Sequence, residues 1–241
     1  MTNEPEVPTG GSFRDETVMF GDREYRYALW VPSGIEMPCA GLVFLHGLGE
    51  CGTDGRKQVT VGIGPALERD PDRWPFVVVL PQKPEFADAW EDHAGAVLAM
   101  VDAAIEAGLI DSKRVAITGL SQGGHGTIAI GAGHRERFRA AVPVCGYVAP
   151  VWGPGGVRSW TQADDPALTR YASALAEMPM WVVHGARDQV VPMRESELLV
   201  EVLIAAGSTP RFTVLPEADH NAWDATYGDA EIAVWLVEMT R

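Results

Sequence analysis

The chain has 241 residues, 46% of them hydrophobic, and a formal net charge of −14. This length allows one substantial hydrophobic core and leaves little room for a second full domain. Because the acidic residues are spread along the chain, the surface should repel phosphate backbones and anionic lipid headgroups, so we expect neither nucleic acid nor membrane as a partner. The three cysteines have no CxxC spacing, which predicts buried thiols rather than a disulfide framework or a zinc site.

The N-terminal segment is polar, acidic and rich in Pro and Gly. It predicts a flexible leader at 1–12 before a single domain at 13–241. The segment has neither the basic start nor the apolar centre of a secretory signal, which predicts a cytoplasmic protein. No uninterrupted apolar run approaches the roughly 20 residues needed to cross a bilayer. The oligomeric state has no signature in the sequence.

The predicted strands and helices alternate along the chain. An antiparallel pair at 14–20 and 24–31 comes first, because side chains alternate there between apolar and polar. Continuously apolar, valine-rich runs, as expected of strands covered on both faces, follow at 40–47, 76–81, 114–121, 138–146, 180–185 and 211–216. Helical spacing occurs at 60–69, 92–107, 122–133, 166–177, 194–206 and 228–239. The pattern predicts a doubly wound α/β sheet of about eight strands, parallel at its centre, with helices on both faces.

Gly119-Leu120-Ser121-Gln122-Gly123 lies between a predicted strand and a predicted helix and matches the G-x-S-x-G nucleophile elbow. Glycines two residues before and after the serine are required because the turn is too sharp for side chains there. A serine before a helix is more often only an N-cap. The strand before it and the helix after it favour Ser121 as a nucleophile.

A serine hydroxyl needs a base to accept its proton and a third group to orient that base. In this kind of fold the acid follows the serine in the chain and the histidine follows the acid. His220, in the loop after the last predicted strand, is the predicted base, and Asp188, shortly after the strand at 180–185, is the predicted acid. We interpret His184 as a structural residue of the turn and Asp224 as a possible outer support.

An oxyanion hole requires two backbone N–H donors aimed at the developing negative charge. The residue after the nucleophile, Gln122, supplies one in this fold, and the loop after the strand at 40–47 supplies the other. Leu48 is the predicted donor in that loop. We interpret His46 as a residue that stabilises the turn.

At these motifs the sequence resembles the carboxylesterase/phospholipase branch of the α/β-hydrolases, near the dienelactone-hydrolase-like and feruloyl-esterase-like serine esterases. The resemblance runs from about residue 25 to the C-terminus and is carried by LHGLGECGTDGRKQ, VLPQKP, RVAITGLSQGG, VVHGARDQVVP and DHNAWDATYGDAEIAVWL. It implies an α/β-hydrolase fold, a triad of Ser121, Asp188 and His220, and oxyanion donors at Leu48 and Gln122. Many of these relatives have methionine where this chain has Gln122. Dienelactone hydrolases proper use a cysteine nucleophile, which disfavours their substrate class here.

The connection from 147 to 179 is too short for a large lid, so we expect a minimal one and an open site. Trp90, Trp152 and Trp160 fall in loops near strand ends, where lining a substrate pocket and packing in the core are equally good explanations. Trp30, Trp181 and Trp235 are predicted core residues because they lie in predicted strands and in the last predicted helix.

The predicted function is hydrolysis of small carboxylic esters through an acyl-enzyme, with no metal and no organic cofactor. A thioesterase, a peptidase or a polyester or feruloyl-type esterase would use the same triad. A non-catalytic α/β-hydrolase that serves as a binding module is the alternative from another class. Such proteins usually lack a triad member, whereas this chain has all three candidates.

Overall fold

The structure is a computed structural model and describes residues 10–241. Most of the predicted leader, residues 1–9, lies outside the described residues. Strand β1 (Gly11–Phe20) pairs antiparallel with β2 (Arg23–Pro32) along its whole length. It begins three residues before the predicted position, because the backbone at Gly11 packs directly against the indole of Trp30. A Cβ at Gly11 would stand 2.3 Å from that ring.

The other strands of the sheet follow the predicted runs closely. They are β3 (Cys39–Leu45), β4 (Val77–Pro81), β5 (Ile110–Leu120), β6 (Ala141–Val144), β9 (Trp181–Gly185) and β10 (Arg211–Leu215). The sheet has eight strands in the order β1-β2-β4-β3-β5-β6-β9-β10. The six strands from β4 to β10 pair in parallel, and β2 runs against both of its neighbours. The predicted mostly parallel, eight-stranded sheet is confirmed.

Helices cover both faces of the sheet, which explains why every residue of β3, β4, β6 and β9 is buried. One face carries α1 (Ile63–Arg69), α6 (Trp223–Gly228) and α7 (Ala230–Met239). The other carries α2 (Ala94–Glu106), α3 (Gln122–Gly133), α4 (Pro166–Leu175) and α5 (Arg194–Ala205). The predicted core tryptophans Trp30, Trp181 and Trp235 are all buried.

Two predicted elements differ from the structure. The single helix expected at 228–239 is preceded by α6, and Asp229 separates the two because it is extended and accepts a hydrogen bond from the Glu231 N–H as the N-cap of α7. The connection from β6 to α4 contains a small antiparallel hairpin, β7 (Val151–Gly153) and β8 (Gly156–Ser159).

Among residues 10–241, no helix is both long and apolar enough to cross a membrane.

Candidate active site

Ser121 stands alone between β5 and α3 with a φ of 54° and a ψ of −117°. This left-handed conformation turns the chain sharply from strand to helix and raises the side chain above the carboxyl end of the sheet. The flanking glycines make the turn possible. A Cβ at Gly123 would stand 1.9 Å from the carbonyl oxygen of Leu45, and one at Gly119 would stand 2.4 Å from the carbonyl oxygen of Gly123.

The structure brings Ser121, His220 and Asp188 together across three separate loops. Ser121 Oγ lies 2.9 Å from His220 Nε2, and His220 Nδ1 lies 2.7 Å from Asp188 Oδ2. Because an ionised carboxylate can only accept, Nδ1 carries the proton, which leaves the Nε2 lone pair facing the serine hydroxyl. This arrangement can move a proton from Ser121 to His220.

The carboxylate of Asp188 is held from both sides. Its Oδ1 accepts hydrogen bonds from the backbone N–H groups of Val190 (2.8 Å) and Val191 (2.9 Å). Its Oδ2 faces His184 Nε2 at 3.2 Å, in addition to His220. Burial opposes ionisation, but the hydrogen bonds from His184, His220 and the two amides outweigh it and hold the Asp188 pKa well below its usual range.

His184 is completely buried behind Asp188, and its tautomer follows from its partners. Nε2 lies 3.0 Å from the carbonyl oxygen of Val191, which can only accept, so Nε2 carries the proton. Nδ1 therefore accepts from the hydroxyl of Ser196 at 2.7 Å. His184 is structural, as predicted, but it also extends the hydrogen-bonded chain behind Asp188, which the sequence interpretation missed.

Asp224, interpreted as a possible outer support, accepts a hydrogen bond from the side chain of Asn221, and Asp224 is exposed. Within residues 10–241, the side chain and backbone of Asp224 form hydrogen bonds with Asn221 and not with His220 or Asp188. The neighbouring Asp219 accepts a bond from the Asn221 N–H. Both carboxylates therefore organise the turn that leads into α6.

Leu48 and Gln122 are the predicted oxyanion donors. Both residues line the cavity that contains Ser121. In the described part of the chain, neither backbone N–H donates a hydrogen bond to another protein group. Both N–H groups are thus available to a ligand, and Gln122 is the first residue of α3, where the helix dipole favours negative charge.

His46 supports the loop that carries Leu48. Burial lowers the pKa of His46 to about 4, so the ring is neutral at neutral pH. Its Nδ1 donates to the carbonyl oxygen of Gly47 at 2.6 Å, and its Nε2 accepts from the Lys83 N–H at 2.9 Å. The interpretation of His46 as a turn-stabilising residue agrees with these contacts.

Two neighbouring cavities with shared lining residues open at this edge of the sheet. The Ser121 cavity has a volume of about 400 Å³, and a larger side cavity beside it has about 740 Å³. The two share Leu48, Gln122, Tyr147 and Trp152. Trp160 lines the Ser121 cavity only. The hairpin of β7 and β8 contributes Trp152 and Val157, so it forms the small lid that the sequence predicts.

Trp90 lines neither of these two cavities, so of the two explanations offered for it, packing in the core agrees with the structure. It is 1% exposed and packs edge-on against the ring of His46. Its indole N–H donates to the carbonyl oxygen of His46 at 3.1 Å. Trp90 belongs to the core because the absent side chain of Gly126 leaves room for it. A Cβ at Gly126 would stand 2.6 Å from Trp90.

Two aromatic residues of the site were not predicted. Trp223 lies edge-on against the ring of His220, with centroids 5.4 Å apart. The signal that could have identified Trp223 as a residue of the site is its position three residues after His220 in the sequence. Tyr147 stacks on His125 with centroids 4.7 Å apart and lines both cavities. Nothing in the local sequence around Tyr147 distinguishes it from a core tyrosine.

Among the described residues, one group has the composition of a metal site. Potential ligand atoms of Cys145, Asp188 and His220 lie within 4.8 Å of one another. Burial, however, raises the pKa of the Cys145 thiol far above its usual range, so the thiol stays protonated at neutral pH. Asp188 and His220 are also bonded to each other. The group therefore fits a hydrogen-bonded carboxylate–imidazole pair better than a metal site.

The model of the phospholipase/carboxylesterase family matches residues 68–232. The chain belongs to this family of α/β-hydrolases. A thermostable esterase of known structure is 29% identical, with a TM-score of 0.76, over 95% of this chain and 63% of that one. This chain thus spans less than two thirds of that esterase. Among curated proteins, no sequence matches.

Two further structures share the fold at lower identity. An S-formylglutathione hydrolase from Agrobacterium tumefaciens is 19% identical, with a TM-score of 0.72, over 98% of each chain. An arylesterase is 17% identical, with a TM-score of 0.69, over 98% of this chain and 89% of that one. At these identities the likeness concerns the fold.

Proposed function

We propose that this chain is a serine carboxylesterase that hydrolyses small carboxylic esters through an acyl-enzyme, with residues 13–241 acting as one catalytic domain. One observation carries the proposal. The hydrogen-bonded chain from Ser121 through His220 to Asp188, with spacings of 2.9 and 2.7 Å, ends at an open cavity. This is the geometry that nucleophilic catalysis by serine requires.

In the first step, Ser121 Oγ attacks the ester carbonyl carbon while its proton passes to His220 Nε2. The negative charge that develops on the carbonyl oxygen is stabilised by the N–H groups of Leu48 and Gln122. Asp188 stabilises the imidazolium through Nδ1 and remains ionised, in keeping with its low pKa. His220 Nε2–H then protonates the departing alcohol oxygen, and the acyl group stays on Ser121.

In the second step, water attacks the acyl-enzyme and His220 takes its proton. Collapse of the second tetrahedral intermediate returns the proton to Ser121 Oγ and releases the acid. No step requires a metal or an organic cofactor. The small lid and the solvent-accessible cavity favour soluble esters. The similarity to the thermostable esterase supports ester hydrolysis.

A fluorophosphonate probe tests the nucleophile. We expect the probe to label the native protein and not Ser121→Ala, and the same variant to lose hydrolysis of p-nitrophenyl acetate by a factor of 10³ or more, roughly as in other serine triads. Ser33 is an exposed serine that is distant from Ser121 in the sequence. Ser33→Ala is the matched control, and the probe should label it normally. A folded native protein that neither labels nor hydrolyses any ester is the outcome expected of the non-catalytic binding module.

The leaving group separates the remaining alternatives. A thioesterase, a peptidase or a polyester or feruloyl-type esterase would use the same residues. Substrates with one acyl group joined to oxygen, sulfur or nitrogen compare these activities directly. We expect the ester to be preferred over the amide, and a kcat/KM that is higher for the thioester than for the ester would replace the carboxylesterase proposal by a thioesterase.

A further inference from the structure

Glu195, in the first turn of α5, is a carboxylate that is 1% exposed and has no part in the triad. Its Oε1 accepts a hydrogen bond from the Thr161 N–H at 2.7 Å. Its Oε2 accepts from the Val148 N–H at 2.7 Å and from the Thr161 hydroxyl at 2.6 Å. The hydroxyl oxygen of Thr161 accepts in turn from the Ala149 N–H at 2.8 Å. Burying a carboxylate is costly, and these three donors compensate for it.

The hydrogen bonds of Glu195 join the two ends of one chain segment. Val148 precedes the hairpin of β7 and β8, and Thr161 follows it. Residues 150–160 form the lid, and each residue in this range is at least partly exposed. The two strands of the lid form a separate two-stranded sheet. Because neither deep burial nor pairing with the main sheet anchors the lid, its position depends strongly on the hydrogen bonds at its two ends.

The lid supplies part of the wall of the Ser121 cavity. Trp152, Val157 and Trp160 line that cavity, and Trp160 directly precedes Thr161. The three triad residues lie outside the lid, so a displaced lid would move these walls and leave the triad in place. A substrate group that packs against the walls gains free energy in proportion to the apolar area it buries. Fixing the lid therefore affects the binding of groups large enough to touch it.

The next residue of α5, Ser196, is connected to the triad and not to the lid. It is 5% exposed, and its hydroxyl bonds to His184 Nδ1 at 2.7 Å. His184 Nε2 faces Asp188 Oδ2 at 3.2 Å. Consecutive side chains leave a helix in directions about 100° apart, which lets Glu195 and Ser196 reach different parts of the site. The first turn of α5 thus holds the lid with one residue and the support of the acid with the next.

We propose that Glu195 is a positioning residue that fastens both ends of the lid and thereby determines which esters bind well, whereas Ser196 acts on the reaction itself through His184 and Asp188. Loss of the Glu195 carboxylate releases one end of the lid and weakens the acylation of large esters only. Loss of the Ser196 hydroxyl weakens acylation by every ester. The kinetic part of the inference rests on the proposed esterase function, and the fastening of the lid does not.

Trypsin measures the fastening of the lid directly. Arg158 is exposed in β8, and cleavage after it requires the hairpin to open. In Glu195→Gln the side chain keeps its shape, but its NH2 group has to face one of the donors, so one end of the lid is released. We expect cleavage after Arg158 to be about tenfold faster than in the native protein. Glu201→Gln, in the same helix, removes an exposed carboxylate that pairs with Arg194, and its cleavage rate should be native.

Two esters separate the lid from the triad in the kinetics. Benzyl phenylacetate has a ring on each side of the ester bond, so a ring can reach the lid whichever way the ester lies, whereas methyl acetate has no group of that size. We expect the ratio of their kcat/KM values, which report acylation, to fall about tenfold in Glu195→Gln. Ser196→Ala should lower both values and leave the ratio unchanged. Because the ratio compares two substrates on one variant, a general loss of activity cancels.

Thr161 provides a second pair of variants in case Glu195→Gln does not fold. Thr161→Ser keeps the hydroxyl that bonds to Glu195, whereas Thr161→Val keeps the shape and removes it, so only Thr161→Val should reproduce the faster cleavage and the lower ratio.

A native cleavage rate and a native ester ratio in folded Glu195→Gln would overturn the role of Glu195, as would equal behaviour of Thr161→Ser and Thr161→Val. Failure of the fluorophosphonate probe to label Ser121 in the native protein would instead refute the esterase function, and the trypsin experiment would still decide whether Glu195 fastens the lid.

Discussion

Asp188 is the most constrained side chain of the site. Two backbone N–H groups hold one of its oxygens, and two imidazoles face the other. Behind it, the carbonyl oxygen of Val191 fixes the tautomer of His184, and the hydroxyl of Ser196 donates to the Nδ1 of the same ring. The position of the carboxylate against His220 therefore depends on His184, which is fully buried and lines neither the Ser121 cavity nor the side cavity.

Variants of His184 measure that dependence. Gln can present an N–H near the position of Nε2, whereas Leu has a similar volume and no donor, so we expect kcat/KM to fall about tenfold further in His184→Leu than in His184→Gln. Without the donor, Asp188 attracts the His220 proton more strongly, so the acid limb of the pH–rate profile should move to higher pH in His184→Leu. Equal activity and equal profiles in the two folded variants would show that His184 only fills space.

At the scale of residues, the three triad candidates were predicted from their order in the chain and their positions at the ends of predicted strands. Ser121, Asp188 and His220 were selected because each follows a predicted strand, and the structure brings these three together. Trp90 could not be assigned in this way. Whether a loop tryptophan points into a cavity or the core depends on a partner such as Gly126, 36 positions away, and local sequence does not reveal that pairing.

Helix α3 connects the nucleophile to the core, and its two terminal glycines have opposite surroundings. Gly123 touches the backbone of β3, whereas a Cβ at Gly133 would meet nothing within 4 Å. The first turn of α3 therefore approaches the sheet more closely than any side chain allows. The height of Ser121 above the sheet depends on this contact.

Alanine at each end of α3 tests the contact. We expect Gly123→Ala to lower the free energy of unfolding by several kcal/mol, in the range of severe overpacking, and to reduce activity because the elbow shifts. Gly133→Ala, in the same helix, should change stability by no more than about 1 kcal/mol, in the stabilising direction. Urea denaturation of both variants gives the comparison. Similar changes in the free energy of unfolding at both positions would contradict the role of the Gly123 backbone contact.

At the scale of elements, long apolar runs were predictable and short exposed ones were not. The runs of β3, β4 and β9 are continuous because both faces are covered. The hairpin of β7 and β8 has strands of only three and four residues, most of them exposed, joined by glycines. Such strands depend on pairing with each other and leave no periodic signal.

For the whole molecule, two apolar cores lie on opposite faces of one sheet and share its strands. Trp74 is buried in one core and Trp90 in the other. Because each strand contributes alternate residues to both cores, loss of either core exposes the sheet itself. The order of the strands, in which β2 pairs with β4 and not with β3, is a long-range property that the motifs did not specify.

We expect residues 13–241 to unfold in a single cooperative transition. Far-UV circular dichroism reports helices on both faces, whereas tryptophan fluorescence is dominated by one core, which holds Trp30, Trp74, Trp181 and Trp235. The two signals should give the same urea midpoint. Separate midpoints would divide the chain into two independently stable parts and contradict the single-domain proposal.

The backbone of Ser121 has a positive φ, which glycine adopts freely and every other residue adopts at a cost of roughly 1–3 kcal/mol. Glycine would relieve that cost, whereas alanine would not. Ser121→Gly should therefore have a higher free energy of unfolding than Ser121→Ala, although both variants lack the proposed nucleophile. At this position the chain therefore gives up thermal stability that glycine would provide, and the hydroxyl of the proposed nucleophile is what that cost makes available.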